Sequence, residues 1–272
     1  MQLTLERRFF NSIVPLIVHK GGDVSMGTAF IVKASNSKLL LVTNRHVVEN
    51  ANSYEVTTLL SDENSDILKN LPFTSCNAST ITLCFGNNPT WFFHDNPEID
   101  IAIVDFSEIK ENYHQLDRMP GSNVDLGGLK ITNSFIDLQT DILSQQQLEN
   151  LAVVTPLIFS GYPGGLRDFT SGVFPITKAA ISASPLSTNY KDKDKDKDKD
   201  KDKDKNLTNG FYIDSLIVNG SSGSPIFAVV DSIYYLAGIV TGGCLHDNHD
   251  IKIGKCVHAR FIQDIISKYF EN

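Results

Sequence analysis

The sequence has no long apolar run and no excess of basic residues. No segment approaches the roughly 20 consecutive apolar residues that a membrane-spanning helix requires. Acidic residues outnumber basic ones by 32 to 24, which gives a formal net charge of −8. A protein whose main role is to bind nucleic acid normally carries a basic surface that neutralises phosphates. The sequence therefore predicts neither a membrane nor a nucleic acid as a partner.

Cysteine is scarce, and its spacing excludes the common metal and redox motifs. The four cysteines are Cys76, Cys84, Cys244 and Cys256. None of them forms a C-x-x-C pair and their spacings match no zinc-finger pattern, although their even number leaves disulfides open. Residues 1–22 make a poor signal peptide because Asn11, Ser12 and Pro15 interrupt the apolar run. We therefore expect a cytoplasmic protein with reduced thiols.

The chain consists largely of short segments rich in Val, Ile, Phe and Thr, the residues that favour β-strands. Glycine, proline, asparagine and aspartate bound these segments. They cover 12–18, 27–34, 38–44, 79–85 and 100–106 in the first half, and 151–163, 176–183, 211–218, 224–230 and 234–240 in the second. Short strands at such spacing predict an all-β sandwich or barrel. Apolar residues at helical spacing in 259–270 predict a C-terminal helix that packs on the β-structure.

A polar stretch of mixed composition separates the two halves. It covers residues 107–150, and “SQQQLENL” within it is consistent with a short helix. We therefore divide the chain into a first β-unit at 1–130, a connection at 131–150, and a second β-unit with the C-terminal helix at 151–272.

A run of alternating lysine and aspartate occupies residues 191–205. As a helix it would place like charges at every i,i+4 pair. As a strand it would show all its lysines on one face and all its aspartates on the other, which no core can use. We therefore expect a solvated, disordered loop. Two interpretations stay open: a repeat that is tolerated on the surface, or a loop that docks a partner or regulates activity.

Three polar residues adjoin apolar segments and could carry out chemistry together. They are His46 in “LLLVTNRHVVEN”, Asp100 in “PEIDIAIVDF” and Ser222 in “NGSSGSPIF”. Each alone has an ordinary structural explanation. A serine hydroxyl, however, is a poor nucleophile unless a base takes its proton as it attacks. An imidazole can serve as that base near neutral pH, and a carboxylate can hold the ring in the correct tautomer. The combination therefore predicts a catalytic triad.

The glycines around Ser222 have a chemical explanation of their own. They would let the turn direct consecutive backbone N–H groups, those of Gly220 and Ser222, at a developing oxyanion. A side chain at position 220 would hinder that approach. The sequence thus predicts an oxyanion hole built from these two amides.

The motifs “TNRHVV”, “DIAIV” and “GSSGSP”, in this order, resemble those of the chymotrypsin-like serine proteases. The pattern is most similar to the HtrA-like and glutamyl-endopeptidase-like branches. Three further stretches agree with it, namely “GTAFIV” before the histidine, “FSGYPGG” at the opening of the second unit, and “AGIVTGG” beside the substrate. The resemblance covers residues 12–267 and hence most of the chain. It implies a serine protease that hydrolyses peptide bonds through an acyl-enzyme intermediate.

For the fold, the resemblance implies two six-stranded antiparallel β-barrels followed by a C-terminal helix, with the active site between the barrels. His46 and Asp100 would come from the first barrel and Ser222 from the second. A protein or peptide substrate would bind in extended conformation along the edge near 239–243. Thr241 would lie near the aspartate of the triad, and Gly242 and Gly243 would keep the groove open.

Several positions depart from the family pattern. Ser221 stands where pancreatic-type relatives have an aspartate that pairs with a freshly cut N-terminus, so we expect no trypsin-style zymogen cleavage. Nothing in the sequence resembles a PDZ domain, so we expect no activation through one. Leu216 occupies the floor of the P1 pocket where trypsin-like enzymes have aspartate, and Val240 replaces a histidine that reads acidic P1 side chains. These substitutions favour a small or medium apolar P1 residue.

A second cluster contains residue types that bind metals. “CLHDNHD” (244–250) is followed by Cys256 and His258, but the spacing fits no standard site. We therefore expect neither a metal nor another cofactor, with zinc or a contact to the substrate as the alternatives.

By the same resemblance, the lysine–aspartate run would lie near the activation region, where it could shift an equilibrium between competent and incompetent states of the enzyme.

Two other functions remain open on the residues alone. One is a catalytically silent protein with a protease fold that binds or regulates partners, and the other is an ester hydrolase. A protease without zymogen or PDZ control would need another restraint, for which a regulatory protein partner is our hypothesis.

Overall fold

The structure, a computed structural model, describes residues 8–62, 80–87, 89–112, 114–115, 129–131, 134–166, 174–187, 190–191, 207–208, 210–246 and 249–270. Cys76 and the lysine–aspartate run after Lys191 lie outside these residues, so the predictions made for them stay predictions. None of the helices in the described ranges is both long enough and apolar enough to cross a membrane.

The first half of the chain forms one large sheet. Its strands are β1 Ile13–Lys20, β2 Asp23–Lys33, β3 Leu39–Thr43, β4 Ser53–Asp62, β5 Thr80–Phe85, β6 Phe92–Phe93, β7 Ala102–Asp105, β8 His114–Gln115, β9 Leu129–Ile131 and β10 Ile136–Asp137. They lie in the order β6-β7-β3-β2-β1-β4-β5-β8, with β9 beside β4 and β10 beside β2.

The second half forms a closed barrel of six strands, as predicted. Its strands and a separate pair are β11 Pro156–Gly161, β12 Ile176–Ser182, β13 Tyr190–Lys191, β14 Leu207–Thr208, β15 Gly210–Asp214, β16 Pro225–Val230, β17 Ile233–His246 and β18 His249–His258. The barrel runs β11-β12-β15-β18-β17-β16 and closes between β16 and β11. The strands β13 and β14 pair only with each other in the described residues, and they flank the lysine–aspartate run.

The described residues of the first half form a ten-stranded sheet, and the six-stranded barrel expected for this half stays a prediction. Two strands of this sheet are long. β2 and β4 have 11 and 10 residues, so each pairs with different neighbours along its length. β4 pairs with β1 and β5 over its first residues and with β9 over 60–62. Apolar patterns in the sequence mark strands, but they do not show such additional pairing.

The helices of the described residues are short. They include residues 8–12, α1 Arg45–Val48, α2 Phe106–Asn112, α3 Gln145–Asn150 and α4 Arg260–Tyr269, with a 3₁₀ turn at Pro163–Gly165. Helix α4 is the predicted C-terminal helix, and it buries an apolar face formed by Phe261, Ile262, Ile265 and Ile266. After it, the ring of Phe270 meets the ring of Phe92 edge-on, with centroids 5.0 Å apart. The C-terminal helix is thus held against the first sheet.

One apolar core joins the two halves. Phe30 and Ile103 from the first sheet pack in the same buried cluster as Phe227 and Ile239 from the barrel. The connection is also attached to the barrel, because the Leu143 amide donates to the carbonyl of Leu236 at 3.2 Å. These contacts hold the first sheet against β16 and β17, next to the turns that carry His46 and Ser222. The boundaries at 130 and 150 stay predictions.

Candidate active site

His46 lies on the single helical turn α1, directly after the buried strand β3. Val47 and Val48 face the core from this turn, so the preceding histidine faces outward, and half of its side-chain surface is exposed (50%). The ammonium of Lys20 donates to the carbonyl oxygen of His46 at 3.0 Å. The local fold therefore presents the imidazole at the surface from a firmly anchored backbone.

Asp100 lies beside this turn because β7, which begins two residues after it, pairs with β3. Ile99 and Ile101 on either side are buried, and Thr43 pairs with Ala102 across the two strands. One carboxylate oxygen of Asp100 lies 2.6 Å from Nδ1 of His46. The other accepts the backbone N–H of His46 at 2.9 Å. Both oxygens of the carboxylate thus hold the same histidine.

This arrangement sets the tautomer of the ring. A carboxylate accepts hydrogen bonds and cannot donate them, so Nδ1 of His46 carries the proton that faces Asp100. Nε2 is then an acceptor, as a general base requires. Asp100 is itself held from β3, because the side-chain amide of Asn44 donates to its backbone carbonyl at 2.7 Å.

Ser222 lies on the turn that leads into β16. Gly220 and Gly223 have φ angles of +87° and +89°, a region that L-residues with a side chain rarely adopt. Space excludes a side chain as well: a Cβ on Gly220 would lie 2.4 Å from the carbonyl oxygen of Tyr162. The two glycines therefore fix the shape of the turn, as the sequence indicated.

The serine turn and the histidine turn lie against the same point of β2. A Cβ on Gly27 would lie 2.8 Å from Val47 Cγ1 and 3.4 Å from the carbonyl oxygen of Ser222. The Ser222 hydroxyl itself donates to the carbonyl of Thr241 at 3.2 Å. The structure thus brings His46 and Asp100 into direct contact, while the Ser222 hydroxyl is bonded to β17.

The carbonyls around Ser222 all bind the surrounding protein. Those of Gly220 and Ser222 accept from the hydroxyl and the amide of Thr28, each at 2.8 Å. The carbonyl of Asn219 accepts from the Gly164 amide. In a trans peptide the N–H points opposite to the C=O, so the Gly220 amide is turned away from Gly164. Within the described part of the chain, neither the Gly220 nor the Ser222 amide donates to a protein acceptor. These two donors could therefore bind an oxyanion.

Strand β17 has an open edge next to this turn. Its pairing with β16 ends at Ile239 opposite Pro225, whereas its pairing with β18 continues to His246. Around Gly242 and Gly243 the backbone thus has a strand on one side only, as far as the described residues show. A Cβ on Gly242 would meet no atom within 4 Å. The edge that was predicted to bind substrate is accessible.

Val240 does not have the contact that the sequence indicated, while the place of Thr241 near Asp100 stays a prediction. The Thr241 hydroxyl donates to the carbonyl of Lys255 at 3.1 Å. Val240 is fully buried in the barrel core, because successive side chains of a strand point to opposite faces. Its backbone binds the serine turn instead: its N–H donates to Ser224 and its C=O accepts from Gly223. Val240 therefore positions the turn and has no side chain available to a substrate.

Leu216 lies in the segment before the turn and is partly exposed (40%), as is Val218 (41%). Lys178 donates from its ammonium to the carbonyl of Leu216. Partial burial lowers the pKa of Lys178. The segment before the serine turn thus exposes two apolar side chains, Leu216 and Val218, together with the polar Asp214 and Asn219.

The cluster of possible metal ligands at 244–258 is described only in part. No group of three or more ligating side chains occurs among the residues that the structure describes, and residues 247–248 lie outside them. Cys84, Cys244 and Cys256 form no disulfide with one another. Burial raises the pKa of the Cys256 thiol well above its ordinary value, so this thiol is protonated and unreactive at neutral pH.

Two residues of the site were missed by the sequence reasoning. Asn44 and Thr28 are both fully buried, and their side chains bind the backbone of Asp100 and Gly220. The available signal was a polar residue inside an otherwise apolar stretch, within “TNRHVV” and “GTAFIV”. Buried polar side chains normally have hydrogen-bond partners, so each predicted a partner without identifying it.

Residues 27–232 match the family described as the trypsin-like peptidase domain. No curated protein matches the sequence. Among solved structures, the HtrA-type protease AlgW with a tripeptide is similar over the whole chain, with 16% identity and a TM-score of 0.54. The chain spans 64% of the length of that protein.

Two further structures are similar over nearly the whole chain. The active form of the Rv3671c protease from M. tuberculosis matches 98% of this chain and 84% of its own, with 16% identity and a TM-score of 0.54. The protease Anisep from Arthrobacter nicotinovorans matches 97% and 98%, with 12% identity and a TM-score of 0.51. At such identities these structures show a shared fold.

Proposed function

The chain belongs to the trypsin-like peptidase family, and on this premise we propose that it is a serine endopeptidase with Ser222, His46 and Asp100 as its triad. The observation that carries the proposal is the contact of 2.6 Å between His46 Nδ1 and Asp100, next to a serine on a turn that requires glycine. We further propose that the first sheet corresponds to the other barrel of the chymotrypsin-like fold and supplies His46 and Asp100.

In the first chemical step, the Ser222 hydroxyl turns from the carbonyl of Thr241 toward Nε2 of His46. Nε2 removes the hydroxyl proton as Oγ attacks the scissile carbonyl carbon. Asp100 stabilises the imidazolium that forms, through the hydrogen bond from Nδ1. The carbonyl oxygen of the substrate becomes an oxyanion, which accepts from the amides of Gly220 and Ser222.

The intermediate then collapses and His46 returns the proton to the leaving amine, which leaves an acyl group on Ser222. Water enters, His46 removes its proton, and the same steps in the opposite sense release the acid and restore the serine. Throughout the reaction the substrate would be paired with β17 near Gly242 and Gly243, as an added strand.

We propose an apolar preference at P1. Leu216 and Val218 are exposed in the segment that precedes the serine turn, and neither can pair with a charged side chain. A charged P1 group would lose hydration against these two side chains, and the Lys178 ammonium beside them is already engaged by the carbonyl of Leu216. We therefore expect small or medium apolar residues to be preferred.

We also propose that the protein is cytoplasmic and that a partner protein regulates its activity. Ser221 is buried, and its amide donates to the carbonyl of Val218 at 3.1 Å. It has no carboxylate for a newly formed N-terminus, which supports activation without trypsin-style cleavage. A regulatory protein would then restrain the enzyme.

Labelling by a fluorophosphonate probe tests the proposed nucleophile. The probe reacts with a serine activated by an adjacent base, so we expect the folded wild type to be labelled at Ser222 and the Ser222→Ala variant not to be labelled. Mass spectrometry of the labelled peptide identifies the site. A folded wild type that is never labelled would instead favour the catalytically silent binding protein.

A panel of peptide substrates varied at P1 tests the specificity. We expect kcat/KM for Ala, Val or Leu at P1 to exceed that for Arg, Lys or Glu by about 10-fold or more, because one well-matched apolar group contributes about 1–3 kcal/mol. Fastest cleavage after Arg, Lys or Glu would contradict the apolar preference. Hydrolysis of the matched esters alone, with no peptide cleaved, would favour the ester hydrolase.

A further inference from the structure

Thr28 on β2 is fully buried, and each of its polar groups has a partner in the structure. Its amide donates to the carbonyl of Ser222 at 2.8 Å, and its carbonyl accepts from the hydroxyl of Thr43 at 2.7 Å. Its hydroxyl donates to the carbonyl of Gly220 at 2.8 Å and accepts from the amide of Tyr162 at 3.0 Å. One residue of the first sheet thus binds two elements of the barrel.

The two carbonyls that Thr28 binds lie on either side of Ser221. Holding the Gly220 carbonyl fixes the peptide that follows Gly220, and holding the Ser222 carbonyl fixes the peptide that follows Ser222. The proposed oxyanion donors, the N–H groups of Gly220 and Ser222, belong to the neighbouring peptides 219–220 and 221–222. Thr28 therefore holds the peptide on either side of the one that carries the Ser222 amide, and a rotation of either held peptide would break a bond to Thr28.

The hydroxyl of Thr28 also acts on the peptide that precedes Gly220. Tyr162, whose amide it accepts, comes directly before the 3₁₀ turn at Pro163–Gly165. In that turn the Gly164 amide binds the carbonyl of Asn219. The orientation of the Gly220 amide thus depends on a support that is itself anchored to Thr28.

The packing around Thr28 leaves no room for an alternative arrangement. A Cβ on Gly161 would lie 2.6 Å from the Thr28 hydroxyl, and a Cβ on Gly223 would lie 1.8 Å from the Thr28 carbonyl. Thr43, which fixes that carbonyl, is the last residue of the strand that leads to His46. Thr28 therefore couples the serine turn to the strand that carries the proposed base.

We propose that Thr28 is a positioning residue whose side-chain hydroxyl holds the turn of Gly220 and Ser222 in the conformation that binds the oxyanion. The inference rests on the proposed function for its catalytic consequence. The structural part of the proposal is that one buried hydroxyl from the first half of the molecule orders the serine turn. This part can be measured without an activity assay.

The test replaces Thr28 with valine, which keeps the shape and removes the hydroxyl. The Gly220 carbonyl and the Tyr162 amide then lose a buried partner. We expect kcat to fall by about 10- to 100-fold, less than for loss of a whole oxyanion donor, with KM changed by less than about 3-fold. A peptide aldehyde, whose adduct places an oxygen in the oxyanion position, should bind more weakly by the same factor as kcat falls. Thr28→Ser, which restores a hydroxyl, should recover most of kcat.

Thr58→Val is the matched control. Thr58 is a buried threonine of β4 in the same sheet (1% exposed), and its hydroxyl has no hydrogen-bond partner among the described residues. We expect wild-type kinetics from this variant. A kcat within 2-fold of wild type for Thr28→Val, or no recovery with Thr28→Ser, would overturn the proposal.

Hydrogen exchange separates this inference from the proposed function. In the wild type and in Thr58→Val, the amides of the segment 215–227 should exchange slowly, and in Thr28→Val about 10-fold faster or more. This comparison needs no activity. A wild type that neither cleaves peptides nor reacts with a fluorophosphonate would refute the protease proposal, while unchanged exchange in Thr28→Val would refute the role of Thr28.

Discussion

Replacing Ser222 with alanine should lower kcat for peptide cleavage by about 10⁵- to 10⁶-fold, because the variant has no nucleophile to form the acyl intermediate. The side chain makes one hydrogen bond, to the carbonyl of Thr241, so the fold should change little. We expect the free energy of unfolding to stay within about 1 kcal/mol of the wild type. Steady-state kinetics on a cleavable peptide, together with thermal unfolding, measure both quantities.

The double variant with His46→Ala distinguishes a triad from two separate contributions. Residues that act as one unit show strongly non-additive effects, so Ser222→Ala/His46→Ala should be no slower than Ser222→Ala alone. The matched control is Ser12→Ala, since Ser12 is buried in the N-terminal region and donates only to the carbonyl of Phe9. Activity of Ser222→Ala within 100-fold of the wild type would refute the assignment of the nucleophile.

The parts of the site that the sequence predicted are those determined by local residue chemistry. Gly220 needs a positive φ and close contact with Tyr162. A turn of glycine and serine before an apolar strand indicates that need within a few residues of the sequence. The buried residues on either side of Asp100 are equally visible as an apolar run. Such requirements act within a few residues, so one sequence suffices to detect them.

The parts that the sequence did not predict depend on pairing between distant segments. Thr28 meets Gly220 across 192 positions of the chain, and no pattern within “GTAFIV” identifies that partner. Val240 was assigned to the substrate by its place in a motif, but the register of β17 turns its side chain into the barrel. Strand register is set by pairing and by the core, and a linear motif does not contain it.

The same limit applies to strand pairing in the first half. The six barrel strands of the second half close in a single ring. In the first half, β2 also pairs with β10 in parallel, a contact between residues 32–33 and 136–137. β10 lies within 131–150, the stretch that we predicted to be a connection. A strand of two residues leaves almost no apolar pattern, so the sequence did not indicate it.

Replacing Asp100 with asparagine should lower kcat by about 10⁴-fold with a much smaller change in KM. Asp100 accepts two hydrogen bonds from His46, one from Nδ1 and one from the backbone amide. An asparagine side chain has one acceptor oxygen, and its NH₂ group would face the other donor. If the oxygen stays on the backbone amide, the NH₂ selects the tautomer with an unprotonated Nδ1. Nε2 of His46 then carries the proton and cannot serve as the base.

The control for this variant is Asp105→Asn at the end of β7, the strand that follows Asp100. The Asp105 carboxylate lies 3.4 Å from the Lys38 ammonium and caps the Glu108 amide, contacts remote from His46. Its loss should cost less than about 1 kcal/mol of stability and leave kcat unchanged. If Asp100→Asn retained more than about one tenth of wild-type kcat, the carboxylate would serve only to anchor the histidine turn. A fall in kcat of the expected size, with the fold intact and Asp105→Asn active, would show that Asp100 selects the tautomer of His46 that the reaction requires.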